Sequence, residues 1–153
     1  MKYTKLLFFF ALSAILSCSR SPQLTEAQRA TVTNEVQLML RATSDSVRAN
    51  GMLGWLSFFH NSPDFSWGVH KVEAPYDSIA ALLKHISPQY RSVTATWDSI
   101  QVEPKTIDEA SFAAKFNEIF IDNSGNQSSA IGSMNAKLLR VDGHWKFHKV
   151  ETQ

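Results

Sequence analysis

Arg140-Val141-Asp142-Gly143-His144-Trp145-Lys146-Phe147 reads as two strands turning back on each other. Asp-Gly supplies the two left-handed positions of a two-residue hairpin turn, which makes it a strong short-range hairpin signal. Counting outward from the turn sets Arg140 opposite Trp145 and Leu138 opposite Phe147. Upstream, apolar residues recur with a period of two, the mark of strands with one buried face. In 128–141 Met134, Ala136 and Leu138 share that face; in 110–122 it is Ala110, Phe112, Ala114, Phe116 and Phe120. Asn123-Ser124-Gly125-Asn126 is the turn between the two. Earlier, Val93, Ala95 and Trp97 share one face, but Ile100 and Val102 have the opposite parity. One extra residue keeps both sets inward, so a β-bulge is expected near Asp98–Ser99. The closing strand spans 144–152, with Trp145 and Phe147 inward.

Ahead of residue 90 the period is helical. Thr25 and Gln28 have capping-box spacing, and Val32, Val36, Met39, Leu40 and Val47 form one stripe, predicting a helix over 25–49. Gly51 interrupts it. Met52, Trp55, Leu56 and Phe59 then fall at i, i+3, i+4 and i+7, predicting a short second helix. Asn61-Ser62-Pro63-Asp64 is a turn into a strand over 65–69. Tyr76–Ile86 predicts a third helix, with Ile79, Leu82, Leu83 and Ile86 on its buried side. Three N-terminal helices packed on a strongly bent antiparallel sheet make an α+β domain.

That order of elements resembles the NTF2-like superfamily, in particular its SnoaL-like and DUF4440-like branches. Three stretches carry the likeness. Leu56-Ser57-Phe58-Phe59-His60-Asn61-Ser62-Pro63-Asp64-Phe65 resembles the family's helix ending in an aromatic before an acidic turn. Tyr76–Ile86 matches the helix before the sheet, and Arg140 to Phe147 resembles the closing hairpin. The resemblance implies a cone in which the bent sheet wraps around helices, with a cavity at one end. Some relatives are isomerases, dehydratases or cyclases, others only bind ligands or partners, and many dimerise through the sheet. These motifs are structural and identify a fold rather than a reaction. Many relatives end in a His-x-Ser-type tail, where this chain reads Lys149-Val150-Glu151-Thr152, so no role for a terminal histidine carries over.

The first residues give an address. Lys2 and Lys5 precede an apolar run, Leu6 to Ser17, ending at Cys18, the single cysteine. A basic start, a short apolar stretch and small residues at the end make a secretory signal peptide. The run falls short of the roughly 20 residues that span a bilayer as a helix. Ile15-Leu16-Ser17-Cys18 resembles the lipobox of bacterial lipoproteins, which implies cleavage before Cys18 and a lipid on its thiol. Ser19, with no Asp after the cysteine, then points to the outer membrane of a Gram-negative envelope, facing the periplasm. The expected organisation is a signal peptide over 1–17, a tether over 18–24 and one domain over 25–153. Without residues 1–17 the chain has 13 basic and 14 acidic side chains, a net charge of −1 with His neutral. That balance gives no electrostatic case for nucleic acid, and membrane attachment rests on the lipid.

Strand register supplies the candidate site. Ile100 is expected opposite Phe112 and Val102 opposite Ala110, with Trp97 opposite Phe116 and Ala95 opposite Glu118 beyond the bulge. Pairing Phe112 with Leu138 sets Phe116 beside Met134 and Glu118 beside Gly132. Glu118 is then the one carboxylate in an inward apolar row, with small neighbours that leave space above it. A desolvated carboxylate has a raised pKa and suits general acid–base work; pairing with Lys149 or Arg91 is the alternative. Extending the hairpin register points Lys149 and Glu151 inward, with Glu151 beside Met134. Trp67, Trp97 and His60 are further candidates for the cavity wall, and Asp64 for either a turn brace or a second pocket acid. His144 and His148 lie about 13 Å apart on a strand, too far to share a zinc ion with bonds near ~2 Å. Neither a metal nor a nucleotide cofactor is expected, since phosphate loops and metalloprotease or hydrolase motifs are missing. Three functions stay open: a cavity binding a small hydrophobic or amphipathic ligand, an enzyme of the ketosteroid-isomerase or SnoaL type using Glu118 or Asp64 as base with Tyr90 or Trp97 shaping the pocket, and an interaction module whose sheet face docks a partner or a second copy.

Overall fold

The computed structural model describes residues 23–69 and 72–153. The expected signal peptide, Cys18, most of the expected tether and His70 lie outside the described residues. Helix α1, Glu26–Asn50, starts in a capping box: the Thr25 hydroxyl accepts from the Gln28 backbone N–H and the Gln28 side chain accepts from that of Thr25. Its stripe of Val32, Val36, Met39, Leu40, Thr43 and Val47 is buried against the sheet.

Among the described residues two α-helices form, not three. The expected second helix is a 3₁₀ segment, Gly51–Ser57. Its tight turn lets Gly54 lie on the backbone of α1, where a Cβ would come within 2.4 Å of the Ser46 carbonyl oxygen. Any other residue there would push the segment off the helix. Met52, Trp55 and Phe59 are nonetheless buried as their spacing implied. Helix α2, Tyr76–Ile86, falls where expected, but Leu82 is 51% exposed. The buried arc runs through Ile79, Ala80 and Leu83, and Leu82 sits about 100° round the helix from Leu83.

Strands β1 (Ser66–Val69), β2 (Val72–Ala74), β3 (Tyr90–Pro104), β4 (Glu109–Asp122), β5 (Gln127–Val141) and β6 (His144–Thr152) make one sheet in the order β2-β1-β6-β5-β4-β3. It is antiparallel except that β1 runs parallel to β6. Strand β2, Val-Glu-Ala, is too short for its alternation to be read as a strand from the sequence. The β5–β6 turn has Asp142 at φ 50° and Gly143 at φ 79° and sets Arg140 opposite Trp145 and Leu138 opposite Phe147, as read from the sequence.

Three register expectations are corrected. The bulge in β3 sits between Asp98 and Gln101, with Ser99 at φ 54°, but beyond it Val102 faces Phe112 and Pro104 faces Ala110. Ile100 falls within the bulge and is exposed. Between β4 and β5 the pairing is shifted by two residues from that expected: Phe112 faces Ala136, Ala114 faces Met134, Phe116 faces Gly132 and Glu118 faces Ala130. An even shift keeps every side chain on its face, so hydrophobic pattern alone does not distinguish the two registers. In β6 a further bulge lies between Phe147 and Lys149, after which Lys149 faces Lys137, Val150 faces Ala136 and Glu151 faces Asn135. Val150 and Thr152 are therefore inward and buried, while Lys149 and Glu151 are outward and exposed.

Candidate functional site

Inside the cone the core is aromatic. The Trp55 indole, carried by the 3₁₀ segment, stacks on Phe59 with ring centroids 5.9 Å apart and meets Trp67 at 6.0 Å and Trp97 at 5.8 Å edge to face. Phe112 and Phe147 close the floor below Trp97. Trp97 is anchored by its Nε1–H, which donates to the Leu40 carbonyl (3.2 Å). Phe112, Leu138 and Phe147 are at most 2% exposed, so this end is filled.

Toward the other end Val93 and Ala95 on β3 stay buried, but the rest of the same inner face is only partly covered. Phe116, Glu118 and Phe120 on β4 and Tyr90 on β3 are half-buried, and Ala130 and Ser128 on β5 are exposed. Tyr90 and Phe120 pack on each other at 5.3 Å. Glu118 is the carboxylate of this row. The Trp55 Nε1–H donates to its Oε1 (3.1 Å), its only side-chain hydrogen bond among the described residues. Burial pushes its pKa up, and the Trp55 bond offsets part of that rise. Neither Arg91 nor Lys149 pairs with it: Lys149 points out of the opposite face. The flanking residues are Ala95 and Ala130, so the expected small neighbours are present, with Ala130 in the place foreseen for Gly132. Gly132 faces Phe116, where a Cβ would strike Cζ of that ring at 2.8 Å.

The remaining candidates separate. Trp97 and Phe116 lie near Glu118 in the register, and Trp67 packs on Trp55. Met134 is buried between Ala114 and Thr152 and belongs to the core. Glu151 stands on the outer face opposite Asn135 and beside Gly68. Asp64 is exposed in the turn, where its backbone N–H donates to the Ser62 hydroxyl (3.2 Å). His60 does not enter the cone: its Nδ1 meets Nδ1 of His148 at 3.1 Å. Sequence reading missed Trp55 as the partner of the acid, because an indole N–H leaves no trace in an apolar pattern. It also missed the clasp between α1 and the hairpin, in which Glu35 accepts from Arg140 and, at 3.0 Å, from Trp145 Nε1, with the Arg140 guanidinium over the Trp145 ring.

No family sequence profile matches the chain, and no curated protein sequence matches it. Solved structures do. A Novosphingobium aromaticivorans protein assigned provisionally as a scytalone dehydratase is similar at a TM-score of 0.73 and 17% identity, over 84% of this chain and 87% of that one. A Salmonella enterica serovar Typhimurium protein of the nuclear transport factor 2 (NTF2-like) superfamily is similar at 0.67 and 13%, over 81% and 91%. The hexachlorocyclohexane dehydrochlorinase LinA-type3 of Novosphingobium barchaimii is similar at 0.64 and 14%, over 84% and 90%. At these identities the likeness is one of fold, and that fold, an α+β cone of a bent sheet around helices, is the NTF2-like fold.

Proposed function

We propose that the protein is a lipid-anchored component of the bacterial cell envelope, held at Cys18 and facing the periplasm from the outer membrane, whose cone takes up a small hydrophobic or amphipathic ligand at its wide end. The observation that carries the ligand reading is the burial gradient along one inner face. Phe112, Leu138 and Phe147 are sealed, while Phe116, Glu118, Phe120 and Tyr90 keep part of their surface open and end on the small residues Ala130 and Ser128. Half-covered aromatics around one desolvated acid are the composition of a pocket for an apolar molecule with a polar end. The name of one structural neighbour refers to hexachlorocyclohexane, a small apolar compound, which fits that class.

A second reading, catalysis by Glu118, is favoured by one specific feature. Its Oε1 is fixed by the Trp55 indole and its proton affinity is raised by burial, the preparation of a general acid or base. Asp64 stands exposed in its turn.

Native mass spectrometry of the purified protein, wild type beside Glu118→Ala, tests the binding reading. A retained small molecule that the variant loses supports it and names the compound to assay for turnover. An empty cone in both overturns it. The sheet face would then be the surface to pursue, starting from Ile131, which is 77% exposed on the outer side of β5.

A further inference from the structure

His60 and His148 are far apart in the chain and are brought together by the β6 bulge. The Phe58–His60 segment runs beside β6, with the His60 N–H donating to the Phe147 carbonyl and the Phe147 N–H to the Phe58 carbonyl, both at 2.8 Å. Strand β1 resumes the same edge with Ser66 beside Lys149. Residues 61–65 therefore leave the sheet edge just where His148 is inserted. The bulge sets His148 and Lys149 together against Lys137, on the outer side of the sheet. His148 is 9% exposed, and His60 is half-buried. This cluster is separate from the Glu118 row, which faces the inside of the cone.

The two rings meet through their Nδ1 atoms, 3.1 Å apart, with ring centroids at 5.2 Å and planes tilted by 44°. One proton shared between neutral imidazoles accounts for such a distance. So does a metal ion: with bonds of about 2.0–2.1 Å, nitrogens 3.1 Å apart subtend an angle of roughly 95–100° at the metal. That angle suits neighbouring positions of a tetragonal or octahedral centre, and imidazole nitrogen suits copper, nickel and zinc. Metal ligation needs neutral imidazole. Lys137 and Lys149 are the cations beside His148, and Asp64 is the carboxylate beside it. Of the cations, Lys137 is engaged by Glu109 at 3.0 Å. Asp64, in the same 61–65 excursion, is the carboxylate that offsets the remainder. Among the described residues no third ligating side chain is in place.

We propose that His60 and His148 form a two-imidazole site for a divalent transition metal, copper(II) before nickel(II) or zinc(II), with the other coordination positions open to water or an exogenous donor. The affinity order follows the general rise of stability along the first-row divalent ions to copper. The open positions make it a site that exchanges its metal or adds a ligand rather than a structural staple, since structural sites close with four protein ligands.

Copper(II) and zinc(II) are titrated into the purified full chain beside His60→Ala and His148→Ala, with electron paramagnetic resonance on the copper samples. The expected result is one equivalent of copper whose spectrum carries coupling to two imidazole nitrogens, bound tighter than zinc, and weakened at least about tenfold by either substitution. Circular dichroism checks that the variants fold. Should either fail to, the wild-type spectrum still decides the matter through the number of coupled nitrogens. Binding that the substitutions leave unchanged, or a wild-type spectrum without two imidazole nitrogens, overturns the proposal and leaves the pair as a hydrogen bond between two histidines.

Discussion

At the narrow end of the cone Ala110, Phe112, Leu138 and Phe147 are at most 2% exposed, whereas a few residues further along the same strands Phe116, Glu118, Phe120 and Ala130 keep surface in water. The strands are continuous, so the difference lies in what covers them. Over the narrow end lie α1 and the 3₁₀ segment, clasped to the β5–β6 hairpin by Glu35, Arg140 and Trp145 and by Lys146, which donates to the Ser57 carbonyl. Toward the wide end Val93 and Ala95 of β3 stay buried, but β4 is only half-covered and β5 offers only Ala130 and Ser128 on its inner face. One end is sealed and the other keeps part of its surface open. Trp55 joins them, packed on Phe147 at one edge and bonded to Glu118 at the other.

If that division is real, substitutions at the two ends should separate stability from binding. Phe147→Ala removes a fully buried ring in contact with Trp55, Phe59, Trp97 and Phe112. The expected loss is about 3–5 kcal/mol, read by urea unfolding. A loss below about 1 kcal/mol would mean that the narrow end repacks freely, and the comparison would collapse.

Glu35→Ala tests the clasp. It strands the Arg140 guanidinium and the Trp145 N–H, but Asp108 still reaches Arg140 Nε at 3.3 Å and the site is partly solvated. A loss of about 1–2 kcal/mol is expected, discounted for that screening. Arg140 and Trp145 hold the Glu35 carboxyl below its usual range. Its stabilisation is therefore present above the unfolded-state pKa, near 4.3, and is lost as pH falls through the lower folded value. Unfolding curves of the variant should lose this part of the acid sensitivity.

Phe120→Ala probes the wide end. The ring is half-buried and packs on Tyr90, so a cost of about 1 kcal/mol is expected. Its larger effect should be on whatever small molecule co-purifies, measured by native mass spectrometry. Equal costs for Phe120→Ala and Phe147→Ala would erase the distinction between the two ends.

The sequence made the narrow end legible because its signals are strong and local. The Asp142-Gly143 turn fixed the β5–β6 register, the capping box fixed the start of α1, and parity located the β3 bulge at Ser99. The β6 bulge carried the same kind of signal. Trp145 and Phe147 share a parity that Val150 and Thr152 break, and extending the hairpin register through that break turned Lys149 and Glu151 inward. The β4–β5 offset was not legible, since a shift of two leaves the pattern intact. Glu118 was found because a carboxylate in an apolar row stands out. Trp55 as its partner and His60 against His148 depend on packing between distant segments, which no local period records.

Glu118→Gln makes the smallest change and divides the ends most finely. Gln keeps an oxygen for the Trp55 N–H while removing the charge. Burial raises the folded-state pKa of Glu118, so the folded protein binds this proton more tightly than the unfolded chain does. The associated stability is fully present below the unfolded value, near 4.3, and is lost as pH rises through the folded pKa. Wild type and variant should therefore unfold alike at about pH 4, with the variant ahead by roughly 0.5–1 kcal/mol at about pH 8. The sign is opposite to that at Glu35, whose charged form the fold favours. A wide end built for stability would show the Glu35 pattern; one kept open for a ligand tolerates an acid that the fold would be more stable without. If Glu118→Gln instead destabilises the protein at high pH, the carboxylate is bracing the sheet, and the wide end loses its claim to be the binding end.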